Sequence, residues 1–252
     1  MFNQAEYRVR FEWGAEGVTR LAPCSDVVVI IDVLSFTTCV DIAVSSGAFV
    51  YPYLYNDESA IGYAQSVGAI LAEKRGSGEG KGKGKGKGPS LSPASLTALQ
   101  PQTRIVLPSP NGSTCTVMAQ AWHAATIAGC LRNANAVADY IHLNYPDEVI
   151  SVIACGERWE NGALRPAIED LIAAGAILSR FNPKSLSPEA RIAVGAFKQA
   201  EQDLPAVLLE CSSGRELIEK GYEQDVRIAS ELNVSPIVPI YHNGAYTQRT
   251  FV

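Results

Sequence analysis

Tyr7, Val9, Phe11 and Trp13 alternate with Arg8, Arg10 and Glu12. A period of two predicts a half-buried strand. Val27 to Ile31 is instead an unbroken β-branched run that ends at Asp32. Such a run predicts a strand covered on both faces, as in parallel sheets. Further short apolar runs span Phe49–Tyr55, Ala69–Leu71, Ile105–Leu107, Thr126–Ala128 and Val149–Ala154. Helical patterns separate most of them, over Thr38–Ser46, Glu58–Val67, Ser113–Trp122 and Ala134–His142. Strands alternating with helices imply βαβ units. After Leu164 the pattern turns helical, over Pro166–Phe181, Pro188–Glu201, Gly214–Lys220 and Gln224–Leu232, with a last strand at Ile237–Tyr241. The prediction is a three-layer αβα fold of the α/β class with a mainly parallel sheet. Residues 1–162 form the core, and 163–252 form a mostly helical portion with a final strand, packed on it.

One segment departs from this pattern. Arg75–Ser90 reads RGSGEGKGKGKGKGPS. It has no apolar surface to bury, and its glycines raise the entropy cost of ordering. The loop 76–90 is expected to be a mobile linker or lid, with 76–88 the most mobile stretch when no ligand is bound. Its repeat matches neither the G-x-x-x-x-G-K-[ST] phosphate loop nor the G-x-G-x-x-G dinucleotide turn, because lysine falls where glycine must sit.

Composition removes several function classes. The 252 residues carry a net charge of −5, which supplies no broad basic field for nucleic acid. No apolar run approaches a membrane span, and the N-terminus lacks an apolar signal core. His123, His142 and His242 have no metal-ligand spacing, and the six cysteines contain no C-x-x-C pair. They read as reduced core thiols, with the cytoplasm as the default location. The expected partner is a small phosphorylated molecule, with neither nucleic acid nor membrane, and a homo-oligomer is compatible with the chain.

Ligands of open parallel sheets bind at the carboxyl ends of the strands. Those ends here carry Asp32, then Glu73 with Arg75, then Ser109–Thr114, then Arg132 and Asn133, then Glu157 and Arg158. Carboxylates, arginines and helix-starting hydroxyls together suit a metal-bound phosphate. Hard cations take carboxylate oxygens, helix N-termini receive anions, and arginine binds phosphoryl groups in charge-assisted fashion. Asp32 stands out, because an acid at the end of an apolar strand needs a partner, a metal or a helix to cap. Asn111, Gly112 and Ser113 read as a phosphate cradle, or as a simple capped turn. Glu169 and Asp170 are helical neighbours about 100° apart, so at most one is expected to face a site. Cysteine phosphatase, D-x-D and Ser-His-Asp chemistries lack their residues here, which leaves metal-activated water.

These motifs have a familiar order. The chain resembles the 2-phosphosulfolactate phosphatase family, magnesium-dependent acid phosphatases of coenzyme M biosynthesis. The resemblance rests on D-V-L-x-x-T-T at Asp32–Thr38, E-x-R-G at Glu73–Gly76, S-P at Ser92–Pro93 and N-G-S at Asn111–Ser113. It continues with R-N-A-N-A-V-A at Arg132–Ala138, C-G-E-R at Cys155–Arg158 and E-D at Glu169–Asp170, with A-G-A at Ala174–Ala176. S-G-R-E-L at Ser213–Leu217, D-V-R-I-A at Asp225–Ala229 and V-P at Val238–Pro239 complete it.

The implied reading has Asp32, Glu157, Glu169 and Asp170 holding Mg2+. Thr37, Thr38, Asn111, Gly112 and Ser113 bind the phosphoryl group. Asp32, Arg75, Arg132 and Arg158 are the catalytic set, with water or Asp32 as nucleophile. The rivals are a non-catalytic binder of a phosphorylated metabolite and a transferase, for which no donor site is visible. The longer strings SPNGST, LRNANAVA and CGERW…LRPAIEDL resemble a bacterial branch, which need not make coenzyme M. Ser35 and Phe36 stand where the family has Arg-Ala. Unless Arg75, Arg132, Arg158 or Arg165 fills the vacated space, 2-phosphosulfolactate is expected to be a poor substrate, and Phe36 to favour a bulkier or less charged group.

Overall fold

The computed structural model describes residues 3–54, 57–75 and 88–248. The expectation for the glycine-lysine loop falls on 76–87, and the end of the third expected strand on Tyr55. Both lie outside the described residues. The strands are β1 (Val9–Trp13), β2 (Val27–Ile31), β3 (Phe49–Tyr53), β4 (Ile70–Leu71), β5 (Arg104–Pro108), β6 (Ala125–Gly129), β7 (Ile150–Ala154), β8 (Glu157–Arg158), β9 (Leu164–Arg165), β10 (Pro239–His242) and β11 (Ala245–Gln248). The helices are α1 (Gly14–Leu21), α2 (Phe36–Ser45), α3 (Glu58–Ser66), α4 (Pro93–Leu96), α5 (Gly112–Gln120), α6 (Ala134–Asn144), α7 (Ile168–Leu178), α8 (Pro188–Ala200), α9 (Leu204–Glu210), α10 (Ser212–Glu219) and α11 (Glu223–Ala229). None is long and apolar enough to cross a membrane among the described residues.

Nine of these strands form one sheet in the order β1-β7-β2-β6-β10-β11-β3-β5-β4. Two parallel blocks, β1-β7-β2-β6 and β3-β5-β4, are joined by the antiparallel hairpin β10-β11. Helices cover both faces, giving the three-layer α/β fold that the pattern predicts. Strand β2 shows why its residues are all β-branched. Val28 and Ile30 pack with Val18, Leu21, Cys115 and Ala119 of α1 and α5. Val27, Val29 and Ile31 pack on the other face with residues of α6 and α7. All five are fully buried, worth roughly 1.5–3 kcal/mol each. The helical portion closes on the same core. The Ala174–Ala176 motif has a packing reason: a Cβ on Gly175 would collide with the backbone oxygen of Ala193, so glycine sets how closely α7 approaches α8.

Three features differ from the sequence expectations. First, β1 is buried on both faces at Val9, Arg10 and Phe11, although its alternation predicts one wet face. Arg10 is tolerated because its guanidinium donates to the Tyr7 oxygen at 2.7 Å and the Cys24 oxygen at 3.3 Å. Second, the final strand is a hairpin in mid-sheet, not one strand. Third, α1, α9 and the small β8-β9 sheet have no counterpart in the predicted pattern. Each is short, and β8 and β9 have two residues apiece.

Candidate active site

Asp32 is the first residue beyond β2, and 5% of it is exposed. Its Oδ1 accepts from the Phe36 N–H at 3.2 Å, where α2 begins. Its Oδ2 accepts from the Gly112 N–H at 2.8 Å, where α5 begins, and from the Ser109 hydroxyl at 3.3 Å. The N-termini of two helices therefore converge on one carboxylate, each with its positive dipole end towards it. Gly112 must be glycine for this approach. A Cβ there would run into the Phe36 ring and stand 2.7 Å from Asp32 Oδ2. Burial raises the Asp32 pKa; hydrogen bonds from Phe36, Gly112 and Ser109 oppose this, and repulsion from Glu169 adds to it.

Three further carboxylates share this environment. Glu157 extends from β8, and its Oε2 accepts from the Asn111 side chain at 2.9 Å. Burial, then repulsion from Asp32 and Glu169, pushes its carboxyl up to about 7, while Arg165 pulls the other way. Asp170 lies in the first turn of α7. Its two oxygens accept from the N–H groups of Val33 and Gly156, each at 2.8 Å, which ties the ends of β2 and β7 together. Burial and the charges of Asp32 and Glu169 raise it well above the carboxylate range. Glu169 is equally buried. Both Glu169 and Asp170 lie within the field of Asp32, but the two oxygens of Asp170 are taken up by backbone N–H groups. The loops after β2 and β7 hold Asp170 through Val33 and Gly156, and Cys211, just before α10, lies beside Glu169. None of these four acids takes part in an ion pair among the described residues.

The other predicted residues are placed as follows. Thr37 and Thr38 are fully buried. Their hydroxyls donate to the Asp32 and Val33 oxygens, each at 2.8 Å, so they lock the turn itself. In the Asn111–Ser113 turn, Ser113 Oγ donates to the Leu107 oxygen, Gly112 N–H to Asp32 and Asn111 to Glu157. Arg75 Nη2 donates to Ser35 Oγ at 2.7 Å. An arginine from elsewhere thus reaches the position where the family pattern has its own. That meets the condition attached to the substrate expectation and removes the argument from Ser35. The argument from Phe36 is also overturned. Its ring is fully buried in the core and meets Tyr246 edge-on at 6.2 Å, so it walls no open pocket.

Arg132 points elsewhere. It donates to Asp41 Oδ2 at 3.0 Å and pairs with Glu231. With Asn133, which donates to the Ile237 oxygen, it anchors the segment feeding β10. Arg158 is exposed, and its guanidinium donates to the Gly162 oxygen at 3.4 Å. Sequence reasoning gave no site role to Ser109 or Asp225, and named Arg165 only as one arginine that could fill the space beside Ser35. Ser109 binds Asp32 and also accepts from the Asn111 and Gly112 N–H groups. Arg165 stands opposite Glu157 in the β8-β9 ladder. Asp225 holds Arg75 at 3.6 Å. Ser109 opens the strand-end segment Ser109–Thr114 and Asp225 opens the D-V-R-I-A motif, and that was the available signal.

Among the described residues no three His, Cys, Asp or Glu side chains form a ready metal cage. Magnesium seldom uses one. It keeps waters and takes one or two carboxylates plus substrate phosphate. Burial and neighbouring acids raise Asp32, Glu157 and Asp170, and these carboxylates with Glu169, in no ion pair among the described residues, form a donor set that fits such an ion.

Comparison with known proteins identifies the family. The family model described as 2-phosphosulpholactate phosphatase matches residues 17–244. A probable 2-phosphosulfolactate phosphatase of Carboxydothermus hydrogenoformans is 30% identical over 218 residues, 85% of this chain and 86% of its own. Proteins of the same description from Thermotoga petrophila and Thermotoga maritima are each 28% identical over 235 residues, 92% of this chain and 97% of theirs. With a family match over most of its length and the motif residues gathered at the carboxyl ends of the strands, the chain belongs to the 2-phosphosulpholactate phosphatase family.

Proposed function

We propose that the protein is a magnesium-dependent phosphatase that hydrolyses a small acidic phosphate monoester in the crevice around Asp32. The observation carrying this is a group of three buried carboxylates and the half-buried Glu157, with no ion pair among the described residues, set against two helix N-termini. Buried charge of one sign is costly unless a cation offsets it. Asp32, Glu157 and Glu169 are the acids that would hold the ion, while Asp170 is occupied with two backbone N–H groups. Magnesium, when bound, supplies Lewis-acid polarisation of the phosphoryl oxygens and activates a water for attack.

The chain's own residues do the rest. Asp32 draws the start of α5 close, so the Asn111–Ser113 turn faces the site where a phosphoryl group binds. Ser109 shares its hydroxyl between Asp32 and that turn, which fixes their relative position. Glu157 accepts from the Asn111 side chain at Oε2, which ties the ion-holding acids to that turn. A divalent ion beside it would offset the burial and the repulsion that raise its carboxyl.

The test is phosphate release from a panel of phosphorylated hydroxy acids, with magnesium and with EDTA. Magnesium-dependent release is expected, and chelation should abolish it. A non-catalytic binder would bind the phosphorylated acids and release no phosphate, and that result would sink the phosphatase reading.

A further inference from the structure

Tyr246 lies in β11, opposite Val50 of β3 in the middle of the sheet, and none of its surface is exposed. A tyrosine so placed needs a partner for its hydroxyl. That partner is Thr116 Oγ1 of α5, at 2.8 Å. Thr116 is fully buried too, and its hydroxyl stands 2.7 Å from the Gly112 oxygen one turn earlier. The direction of these bonds follows from their members. A carbonyl oxygen only accepts, and a threonine hydroxyl has one proton. That proton goes to Gly112, so the Tyr246 O–H donates to Thr116. Were Tyr246 the acceptor, the Thr116 and Gly112 oxygens would face each other with lone pairs alone.

The bonds end on the residue whose N–H binds Asp32 Oδ2 at 2.8 Å. The same tyrosine ring meets the Phe36 ring edge-on, with 6.2 Å between centroids. Phe36 is the first residue of α2, and its N–H binds Asp32 Oδ1 at 3.2 Å. One side chain therefore supports both helices that converge on Asp32, one through its hydroxyl and the other through its ring. The two contacts are linked, because Gly112 lies so close to Phe36 that a Cβ would stand 2.3 Å from the ring.

We propose that Tyr246 is a positioning residue for the carboxylate site: its hydroxyl, through Thr116, and its ring, through Phe36, set the two helix N-termini where both bind Asp32. The effect on turnover rests on the phosphatase reading above; the effect on geometry does not. Removing the hydroxyl leaves Thr116 without its donor and loosens the first turn of α5 against Asp32. A misplacement of about 1 Å can cost about a hundred-fold in rate, so a partial shift is expected to cost about ten-fold. The β10-β11 hairpin that carries Tyr246 is inserted between the two parallel blocks. Its placement thereby becomes a condition for aligning the site.

The experiment measures amide hydrogen exchange by NMR, and kcat/KM, in the full chain and in Tyr246→Phe, Thr116→Val and their double variant. Global unfolding speeds all slow amides alike, whereas a local loss is confined to its surroundings. In Tyr246→Phe the Gly112 amide should exchange at least ten-fold faster relative to the Val29 and Val152 amides of the sheet. Tyr246→Leu, which also removes the ring edge, should extend the effect to the Phe36 amide. Magnesium-dependent turnover of the phosphorylated hydroxy acid that the unaltered protein cleaves fastest should fall about ten-fold in each single variant. The double variant should fall no further, because both changes break one set of bonds. Thr116→Ser keeps the hydroxyl and should recover most of what Thr116→Val loses. A change at Gly112 no larger than that at Val29 and Val152 would overturn the proposal, since Tyr246 would then support only the fold as a whole. Selective exchange with turnover unaltered, or losses that multiply in the double variant, would overturn it as well. Selective exchange in a protein that releases no phosphate from any of these acids supports the positioning and sinks the phosphatase reading instead.

Discussion

Among the described residues four aspartates are buried: Asp32, Asp41, Asp170 and Asp225. They fall into two pairs that meet the same physical problem in opposite ways. Asp41 faces Arg132 at 3.0 Å and Asp225 faces Arg75 at 3.6 Å, and each also accepts a serine hydroxyl. Asp32 and Asp170 have backbone N–H groups and further acids around them, and no cation. Burial raises Asp41 as well, but there the Arg132 guanidinium and the Ser235 hydroxyl oppose it. Around Asp32 and Asp170 the neighbouring charges add to the rise. The paired aspartates fasten distant segments together. The unpaired ones concentrate negative charge at the carboxyl ends of β2 and β7, which stabilises the fold poorly but suits a divalent ion.

The largest effect expected in breaking this contrast is at Asp32. Asp32→Asn should lower kcat/KM by about a thousand-fold or more, since a hard anionic ligand is lost. The fold should survive at a cost. Both Asp32 oxygens accept backbone N–H groups, and an amide offers one acceptor, so about 1–3 kcal/mol of stability should go. Phosphate release and urea melts measure the two parts, and near-normal turnover would end the assignment. Next comes Gly112→Ala. Its methyl would press on the Phe36 ring and on Asp32, so a drop in kcat/KM of about a hundred-fold is expected.

Arg132→Met probes the paired side. It leaves Asp41 buried without its cation, so a loss of about 2–4 kcal/mol in urea melts is expected, with a smaller fall in kcat/KM than Asp32→Asn causes. A fall as large as that of Asp32→Asn would place Arg132 back in the catalytic set. The smallest effect concerns pH. Glu157 moves from its ordinary 4.5 up to about 7, and Asp32 and Asp170 move the same way. The folded chain therefore holds extra protons that the unfolded chain has released. From these groups, stability in EDTA is greatest below about pH 4.5 and falls by about 1–3 kcal/mol by pH 7. Magnesium should flatten that slope. Melting curves at pH 5 and pH 7.5, with EDTA and with magnesium, give the comparison. A slope identical in both would argue against a cation at the carboxylates.

Much of this was legible before any coordinates. The apolar run of β2 announced a buried parallel strand, and Asp32 after it marked the site. The motif at Asn111–Ser113 and the pair Glu169–Asp170 were visible as polar residues beside helix starts. Other features were hidden for definite reasons. Helical periodicity separates neighbours by about 100°, yet Glu169 and Asp170 are both buried, Asp170 by the loops after β2 and β7 and Glu169 beside Cys211. Arg132 follows a strand, as a catalytic arginine does, but its partner Asp41 lies 91 positions earlier, and no local pattern reports such a distance. The two-residue strands β8 and β9, which carry Glu157 and Arg165, are too short to have a periodicity.

By itself the sequence determined the layer architecture, because β-branched runs and helical periods decide which faces must be buried. It also determined the residue types available at the carboxyl ends of the strands. Only the tertiary structure decided which of them meet. The β10-β11 hairpin comes from the end of the chain and joins the two parallel blocks. The Arg75 guanidinium reaches Ser35 across 40 positions, and Asp32 holds Gly112 across 80. Those pairings follow from sheet order and helix packing, which are set by the whole chain closing its core at once, and the charge balance of the site follows from them.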